Sequence, residues 1–352
     1  MRSSTQIKIL FLYTELGGYN FACMKHLANS GLQVHVVHFP VNKEAPFSFT
    51  DGPGLSLYVN TGFQRQELIE LAEKIQPDLL LCSGWVNKDY IAVCRKLKGK
   101  TVLVLGLDNQ WRGTFKQFVG RIAAPFSFLR MFDKVWVPGR RQVNYARKMG
   151  FRSAQIHTGA YCCDVDLYLE IFNSTFPDRK KHFPHRFLYV GRYFDYKGVS
   201  DLWSAFVQLQ HEHPNDWELW CVGMGDLEPI LHPKIKHFGF IQPSQMEEII
   251  KGAGVFIMPS RFDQWGVALQ EFAIAGFPLI CSNRVGASDT FLKDGVNGYS
   301  FEGERISSLF EAMKKITVMK EEALLLMAKA SHECGMAITP ESWEATLRNL
   351  LD

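Results

Sequence analysis

Two stretches of the sequence place charged side chains just past apolar runs, where a polar ligand can be met. In the first, FLYVGRYFDYKG over Phe187–Gly198, a run with buried-strand character ends at Gly191-Arg192, and Lys197 follows five residues on, at the start of a helical pattern. Two permanent cations beside a helix N-terminus, whose free amides carry about half a positive charge, suit a diphosphate. In the second, VFIMPSRFDQWGVALQEFAIAGFPLI over Val255–Ile280, an apolar run ends at Pro259-Ser260. Asp263 then sits in a loop, Gly266 opens a helix and Glu271 falls in its second turn. Glycine there lets backbone amides come close to a ligand. Carboxylates accept hydrogen bonds from vicinal diols without needing a proton, so the two acids suit sugar hydroxyls, one on a donor sugar and one on a nucleotide ribose. The same residues also have purely structural readings: cations solvated on a loop, an Asp capping a helix, a Glu solvated on its face.

The elements that must position these residues alternate between strand and helix. Apolar runs at Ile7–Tyr13, Leu32–His38, Leu79–Ser83, Thr101–Gly106 and Val135–Pro138 predict strands. Helical patterns fill the stretches to Asn29, over Gln64–Ile75 and over Val86–Leu97. Between Ala160 and Arg186 no apolar face can be drawn, which predicts an interdomain linker. A second alternation follows. Strands are predicted at Phe187–Val190, Trp217–Val222, Lys236–Phe240, Val255–Met258 and Pro278–Ser282, and helices at Val199–Gln210, Pro243–Lys251 and Gly266–Ala275, with two more late in the chain. Repeated strand-helix-strand order calls for parallel sheets covered on both faces. The prediction is an α/β chain of two Rossmann-like, doubly wound domains facing across a cleft, because such sheets bind ligands beyond their strand C-termini.

Length and composition agree with two domains. The 352 residues are too many for one ordinary core, and 47% hydrophobic against 21% charged leaves no large disordered fraction. The longest apolar run, Val119–Phe132, is broken by Arg121 and Arg130 and falls short of a membrane-crossing helix. The N-terminal apolar stretch is too short for a secretory signal, and a cytoplasmic location is expected. Eight cysteines, six scattered and Cys162 and Cys163 adjacent, without a C-x-x-C pair, read as reduced, buried thiols, and Asp164-x-Asp166 as an accidental echo of a metal motif.

Charge divides the chain. Residues 1–160 hold 21 Lys and Arg against 10 Asp and Glu, and the remainder is acidic. The segment 112–152 carries ten bases and one acid, Asp133, interleaved with Phe115, Phe118, Phe126, Phe128 and Phe132. Two readings of it stand: a peripheral contact with the anionic inner face of the cell membrane, or solvated helix faces with a packed aromatic side. No nucleic-acid recognition motif is present.

The order GR...KG at Gly191–Gly198, CVGMGD at Cys221–Asp226, HFGFIQPSQMEEIIKGAGVFIMPS at His237–Ser260, the acid-x7-acid pair and DGVNGYSF at Asp294–Phe301 resembles the C-terminal domain of the group 1 glycosyltransferases, family 4, of GT-B architecture. The resemblance implies domains at about 1–165 and 183–336, with a return helix near 337–352 that ESWEATLRNLL matches. It implies that Arg192 and Lys197 bind the donor diphosphate and that Phe240 meets the nucleobase. Glu271 would hold the ribose and Asp263 the transferred sugar, with backbone amides near Gln264, Trp265 and Gly266 against sugar and phosphate. Gly17 and Gly18 would close over the diphosphate from the other domain.

Two departures are visible. Asp263 stands where the family usually has Glu, which predicts an altered sugar preference. Where the family often has a His, TVLVLGLDNQWRG at Thr101–Gly113 offers Asp108 and Asn109. Asp108 either accepts the acceptor hydroxyl's proton, with Trp111 and Arg112 as a polar-aromatic cluster beside it, or caps the next helix. The expected activity is transfer of a hexose-type sugar, with retention and without a metal or other cofactor, from a nucleoside-diphosphate sugar to a glycan or lipid-linked acceptor in surface polysaccharide or lipopolysaccharide-type biosynthesis. A non-catalytic sugar-nucleotide-binding relative, and an epimerase or phosphorylase on the same plan, are the alternatives.

Overall fold

The computed structural model describes residues 6–40, 49–242 and 245–352. The chain forms two compact units, Met1–Asp164 with Ile338–Asp352, and Val165–Ala337. In the first, seven strands form one sheet: β1 (Lys8–Tyr13), β2 (Gln33–His38), β3 (Leu55–Val59), β4 (Leu79–Ser83), β5 (Val102–Gly106), β6 (Lys134–Trp136) and β7 (Ile156–His157). Their order is β3-β2-β1-β4-β5-β6-β7, every pair parallel. The central strands are apolar on both faces because helices cover both. Leu10, Leu12, Leu80, Leu103 and Leu105 pack with Leu68, Ala72, Tyr90 and Cys94 from the helices Arg65–Ile75 and Lys88–Leu97.

The last helix, Pro340–Asn349, belongs to this unit. Thr339 and Ser342 form its capping box. Trp343 is buried with its ring 4.7 Å from Trp136 and 6.2 Å from Phe11, and its indole donates to the Ala160 carbonyl at 3.0 Å. Glu344 ties the helix to Ser30 at 2.7 Å and to His26 at 3.0 Å.

The second unit holds β8 (Arg186–Val190), β9 (Glu218–Val222), β10 (Ile235–His237), β11 (Val255–Met258), β12 (Leu279–Ser282) and β13 (Gly298–Phe301). Their order, β10-β9-β8-β11-β12-β13, repeats that of the first six strands of the other sheet, again all parallel. Each sheet therefore has one point where the strand order reverses, between β1 and β4 and between β8 and β11. There the loops leave in opposite directions and open a crevice.

The fold departs from the sequence reading at several places. β3 and β7, and β13 within DGVNGYSF, are strands that apolar pattern did not reveal; β3 is largely half-exposed and β7 has two residues. The predicted linker at 160–186 instead contains the helix Val165–Arg179 of the second unit. Its buried stripe runs Val165, Tyr168, Ile171, Thr175, Arg179, so two of the five inward positions are polar. Arg179 donates to the carbonyls of Ala275, Gly276 and Ile250 at 3.2, 2.8 and 3.0 Å, and burial pushes its guanidinium down to about 9. The strand expected at Lys236–Phe240 ends at His237, leaving Phe240 in the loop beyond it. The helix expected from Pro243 begins at Glu247; Pro243 and Ser244 lie outside the described residues. The helix expected from Gly266 begins at Ala268, which puts Glu271 in its first turn.

Candidate active site

In the second unit, the loops after β8 and β11 are drawn together at the reversal point. Gly198 makes this possible. Its φ is +67°, and a Cβ on it would stand 2.2 Å from the Pro259 carbonyl oxygen, so no other residue allows the loops to approach this closely. The Arg261 amide donates to the Tyr196 carbonyl at 2.9 Å. The Arg261 guanidinium reaches Asp201 through two nitrogens at 2.9 and 2.8 Å and Asp195 at 2.6 Å. These bonds, Asp201 foremost, hold the Arg261 pKa above its ordinary value.

The stitching sets the predicted residues in place. Lys197 Nζ lies 2.6 Å from Asp263 Oδ2, with side chains 20% and 15% exposed. Asp263 Oδ1 accepts from the Trp265 amide at 3.2 Å, and the Asp263 carbonyl accepts from Gly286 at 3.2 Å, so this carboxylate is held at both ends. Arg192 is half-buried and donates to the Tyr196 hydroxyl at 2.8 Å, its guanidinium 5.2 Å from the Phe194 ring. Arg192, Lys197 and Asp263 thus stand on the two loops that meet at this reversal point, with Glu271 at the start of the helix that follows.

Three predicted contacts read differently in three dimensions. Gly266 has φ +92°, and a Cβ there would meet Met258 Cε at 2.6 Å and Val285 Cγ1 at 2.8 Å, so packing already requires the glycine. Trp265 is buried edge-on to Phe291, and its amide is engaged by Asp263. Of the three residues, Gln264 and Gly266 retain the half-exposed position that a ligand contact needs. Phe240 is half-buried beyond β10; next to it, Gly239 accepts from the Gly223 amide at 2.7 Å, which brings the loop after β10 to the loop after β9.

In the first unit, the reversal point opens a crevice of about 770 Å³. Gly17 lines it as the N-cap of the helix Gly18–Asn29, which Gly18 opens. Asp108 and Asn109 enter from the end of β5. Asp108 accepts from the Tyr161 hydroxyl at 3.2 Å and from Asn109 Nδ2 at 2.9 Å. Burial, with Tyr19 and Asp108 close by, pushes the Tyr161 hydroxyl well above its ordinary pKa, so it stays a donor. Tyr19 packs edge-on to Tyr161 at 5.4 Å. No Lys, Arg or His lines the crevice among the described residues.

The helix-capping alternative for Asp108 fails: the next helix, Phe115–Ala123, is capped by Thr114 in a capping box with Gln117. Trp111 and Arg112, the predicted cluster, have contacts of their own. Trp111 packs against Phe118 at 5.1 Å and Tyr145 at 5.8 Å, and the Arg112 amide is bound to Gln117. Tyr19, Trp85 and Tyr161 supply the aromatic surface instead. Sequence reading missed these three, and also Arg261, Asp195 and Asp201, because each acts through a partner tens of residues away and leaves no local spacing to read.

Comparisons with known proteins bear on the fold and on part of the second unit. Residues 184–317 match the family model described as "Glycosyl transferases group 1". A glycogen synthase of Mycobacterium tuberculosis is 27% identical over 142 residues, 38% of this chain and 34% of the relative. A 2-deoxystreptamine N-acetyl-D-glucosaminyltransferase of Niallia circulans is 30% identical over 116 residues, 30% of this chain and 29% of the relative. The match thus spans about a third of the length of these curated relatives. Among solved structures, Anabaena HepE in complex with UDP and glucose aligns with a TM-score of 0.72 at 15% identity, covering 98% of this chain and 99% of that one. Sucrose-phosphate synthase from Thermosynechococcus elongatus aligns with a TM-score of 0.72 at 17% identity, covering 98% and 97%. At such identities the structures speak for the fold alone. The class is thereby defined as an α/β protein of two Rossmann-like units with the GT-B fold. Its segment 184–317 is similar to the group 1 glycosyl transferases.

Proposed function

We propose that the chain is a retaining glycosyltransferase that moves a hexose-type sugar from a nucleoside-diphosphate sugar to a glycan or lipid-linked acceptor. The observation that carries this reading is the pair Lys197–Asp263 at the reversal point of the second sheet, with Arg192 on the same loop as Lys197. Breaking the bond between the anomeric carbon and the diphosphate places negative charge on the leaving phosphate. Arg192 and Lys197 address that charge from a preorganised loop, a contribution of roughly 2.7–4 kcal/mol per donor by analogy with other fixed donors. A divalent ion is not needed for this role. Asp263 accepts from hydroxyls of the transferred sugar, Glu271 from the ribose, and Phe240 lies against the base.

The first unit's crevice, with carboxylate and aromatic walls and no lining cation, suits a neutral polyol acceptor. The acceptor hydroxyl bonds to the anomeric carbon as the bond to the diphosphate breaks, and its one proton passes to the departing phosphate on the same face, which retains configuration; Asp108 accepts a hydrogen bond from another hydroxyl of the acceptor. HepE, solved with UDP and glucose, and WaaG, described as involved in lipopolysaccharide biosynthesis and aligned with a TM-score of 0.64 at 13% identity over 97% of this chain and 98% of that one, are in keeping with this reading. We place the reaction in surface polysaccharide or lipopolysaccharide-type biosynthesis, at the cytoplasmic face of the membrane, which the basic segment 112–152 touches. No helix among the described residues is long and apolar enough to cross a membrane.

A panel of uridine, guanosine and adenosine diphosphate sugars, assayed for donor hydrolysis and for transfer to glycan and glycolipid acceptors, tests the reading. Turnover with one donor is expected. Binding of a donor with no turnover on any acceptor overturns it.

A further inference from the structure

The segment that contains the predicted membrane contact turns its apolar side outward. Thr114 caps the helix Phe115–Ala123 correctly, yet none of the helix residues is buried. Phe115, Phe118, Val119 and Ile122 recur at the spacing of one helix face, and Phe115 and Ile122 are 83% and 74% exposed. Phe126, in the next turn, is 78% exposed. Such a stripe ordinarily faces a core. A contiguous exposed apolar patch rimmed by charge marks an interaction surface, and here exposed Arg112, Lys116 and Arg121 form the rim.

Beside this helix lies a second cavity, of about 420 Å³. Its floor is apolar and buried: Ile91, Phe128 and Met131, with the Trp85 ring stacked on Phe128 at 4.7 Å. Its rim is cationic: Arg95, Lys98 and Arg130. Lys98 is paired with Asp133, whereas neither Arg95 nor Arg130 forms an ion pair among the described residues; Arg130 lies 6.0 Å from the Phe126 ring. An apolar floor under two unneutralised guanidinium groups matches a phosphate ester joined to hydrocarbon.

We infer that this cavity seats the phosphate headgroup of an anionic membrane phospholipid, while Phe115, Ile122 and Phe126 enter the acyl boundary beside it. The inference rests on the membrane contact proposed above and gives it a defined lipid site. Trp85 lines both this cavity and the crevice that holds Asp108. A lipid seated here therefore sets the acceptor crevice at the bilayer surface, where the accessible acceptors are those a membrane presents.

Flotation of the full chain with vesicles of phosphatidylcholine alone, and of phosphatidylcholine with phosphatidylglycerol, tests this. The unaltered chain floats only with the anionic vesicles, and Arg95→Gln with Arg130→Gln lowers partitioning about thirty-fold. Phosphatidylglycerol brominated in its acyl chains quenches tryptophan fluorescence, and Trp85→Phe removes part of that quenching. Both arginines are exposed, so the paired variant folds, which its circular dichroism spectrum verifies. If the arginine pair leaves partitioning unchanged while Phe115→Ser, Ile122→Ser and Phe126→Ser together abolish it, the cavity site is overturned and the membrane contact stands. If Trp85→Phe leaves the quenching intact, the cavity site is likewise overturned. If the unaltered chain floats with neither vesicle, both readings fall.

Discussion

The two sheets share one strand order but carry different chemistry where that order reverses. Between β8 and β11 the crevice is ionic: Lys197 meets Asp263, Arg261 bridges Asp195 and Asp201, and Arg192 lies against Tyr196. Between β1 and β4 the crevice is lined by Tyr13, Tyr19, Trp85 and Tyr161 with Asp108 and Glu15, and by no cation among the described residues. A parallel sheet supplies a crevice in both cases, since the loops part wherever the order turns. What the crevice can hold is decided by the side chains those loops bring. Fixed cations suit a pyrophosphate, whose charge is costly to desolvate without counter-charge. Aromatic faces with carboxylate acceptors suit a neutral polyol.

This contrast can be broken by substitutions that are felt on one side only. The largest effect is expected from Arg192→Ala with Lys197→Ala. Two charge-assisted contacts at about 1.5–3 kcal/mol each correspond to a loss on the order of 10²–10⁴ in affinity for a nucleoside diphosphate, read by calorimetry. Unchanged affinity would remove the diphosphate from this crevice. Next, Asp263→Ala should lower kcat on the order of 10²-fold while bare nucleotide binds about as before, because this carboxylate is assigned to the sugar. An equal loss in both would reassign it to the nucleotide. Asp108→Asn sharpens the comparison from the other side: transfer falls roughly ten- to a hundredfold with donor affinity unchanged, as steady-state kinetics on both substrates would reveal. The smallest effect is expected at Glu271→Gln, about tenfold weaker nucleotide binding with the sugar preference unaltered in a donor panel.

Legibility in the sequence followed burial. β1, β4, β5 and β11 are short continuous apolar runs because both faces of their sheets are covered, and each was readable within a residue or two. The helix Val165–Arg179 was not, because Thr175 and Arg179 occupy inward positions where an apolar residue is the usual sign. Its Arg179 is tolerated only because three carbonyls and the Phe277 ring, 3.9 Å away, receive the guanidinium. Trp111 shows the converse: its neighbours in sequence suggested a polar cluster, while its ring packs on Phe118 and Tyr145, partners that local spacing did not name.

The sequence by itself determined the two alternations, the apolar strands and the residue types at their ends, since these follow from local periodicity and from which side chains carry charge. It also determined Arg192, Lys197, Asp263 and Asp108 as candidates, each at or near the end of a readable strand. Only the tertiary structure decided what those candidates touch. Lys197 and Asp263 are 66 residues apart and meet because Gly198 admits the Pro259 carbonyl. Asp108 meets Tyr161 across 53 residues because both border one crevice. Such pairings depend on which strand lies beside which, a long-range outcome of packing that no local spacing encodes.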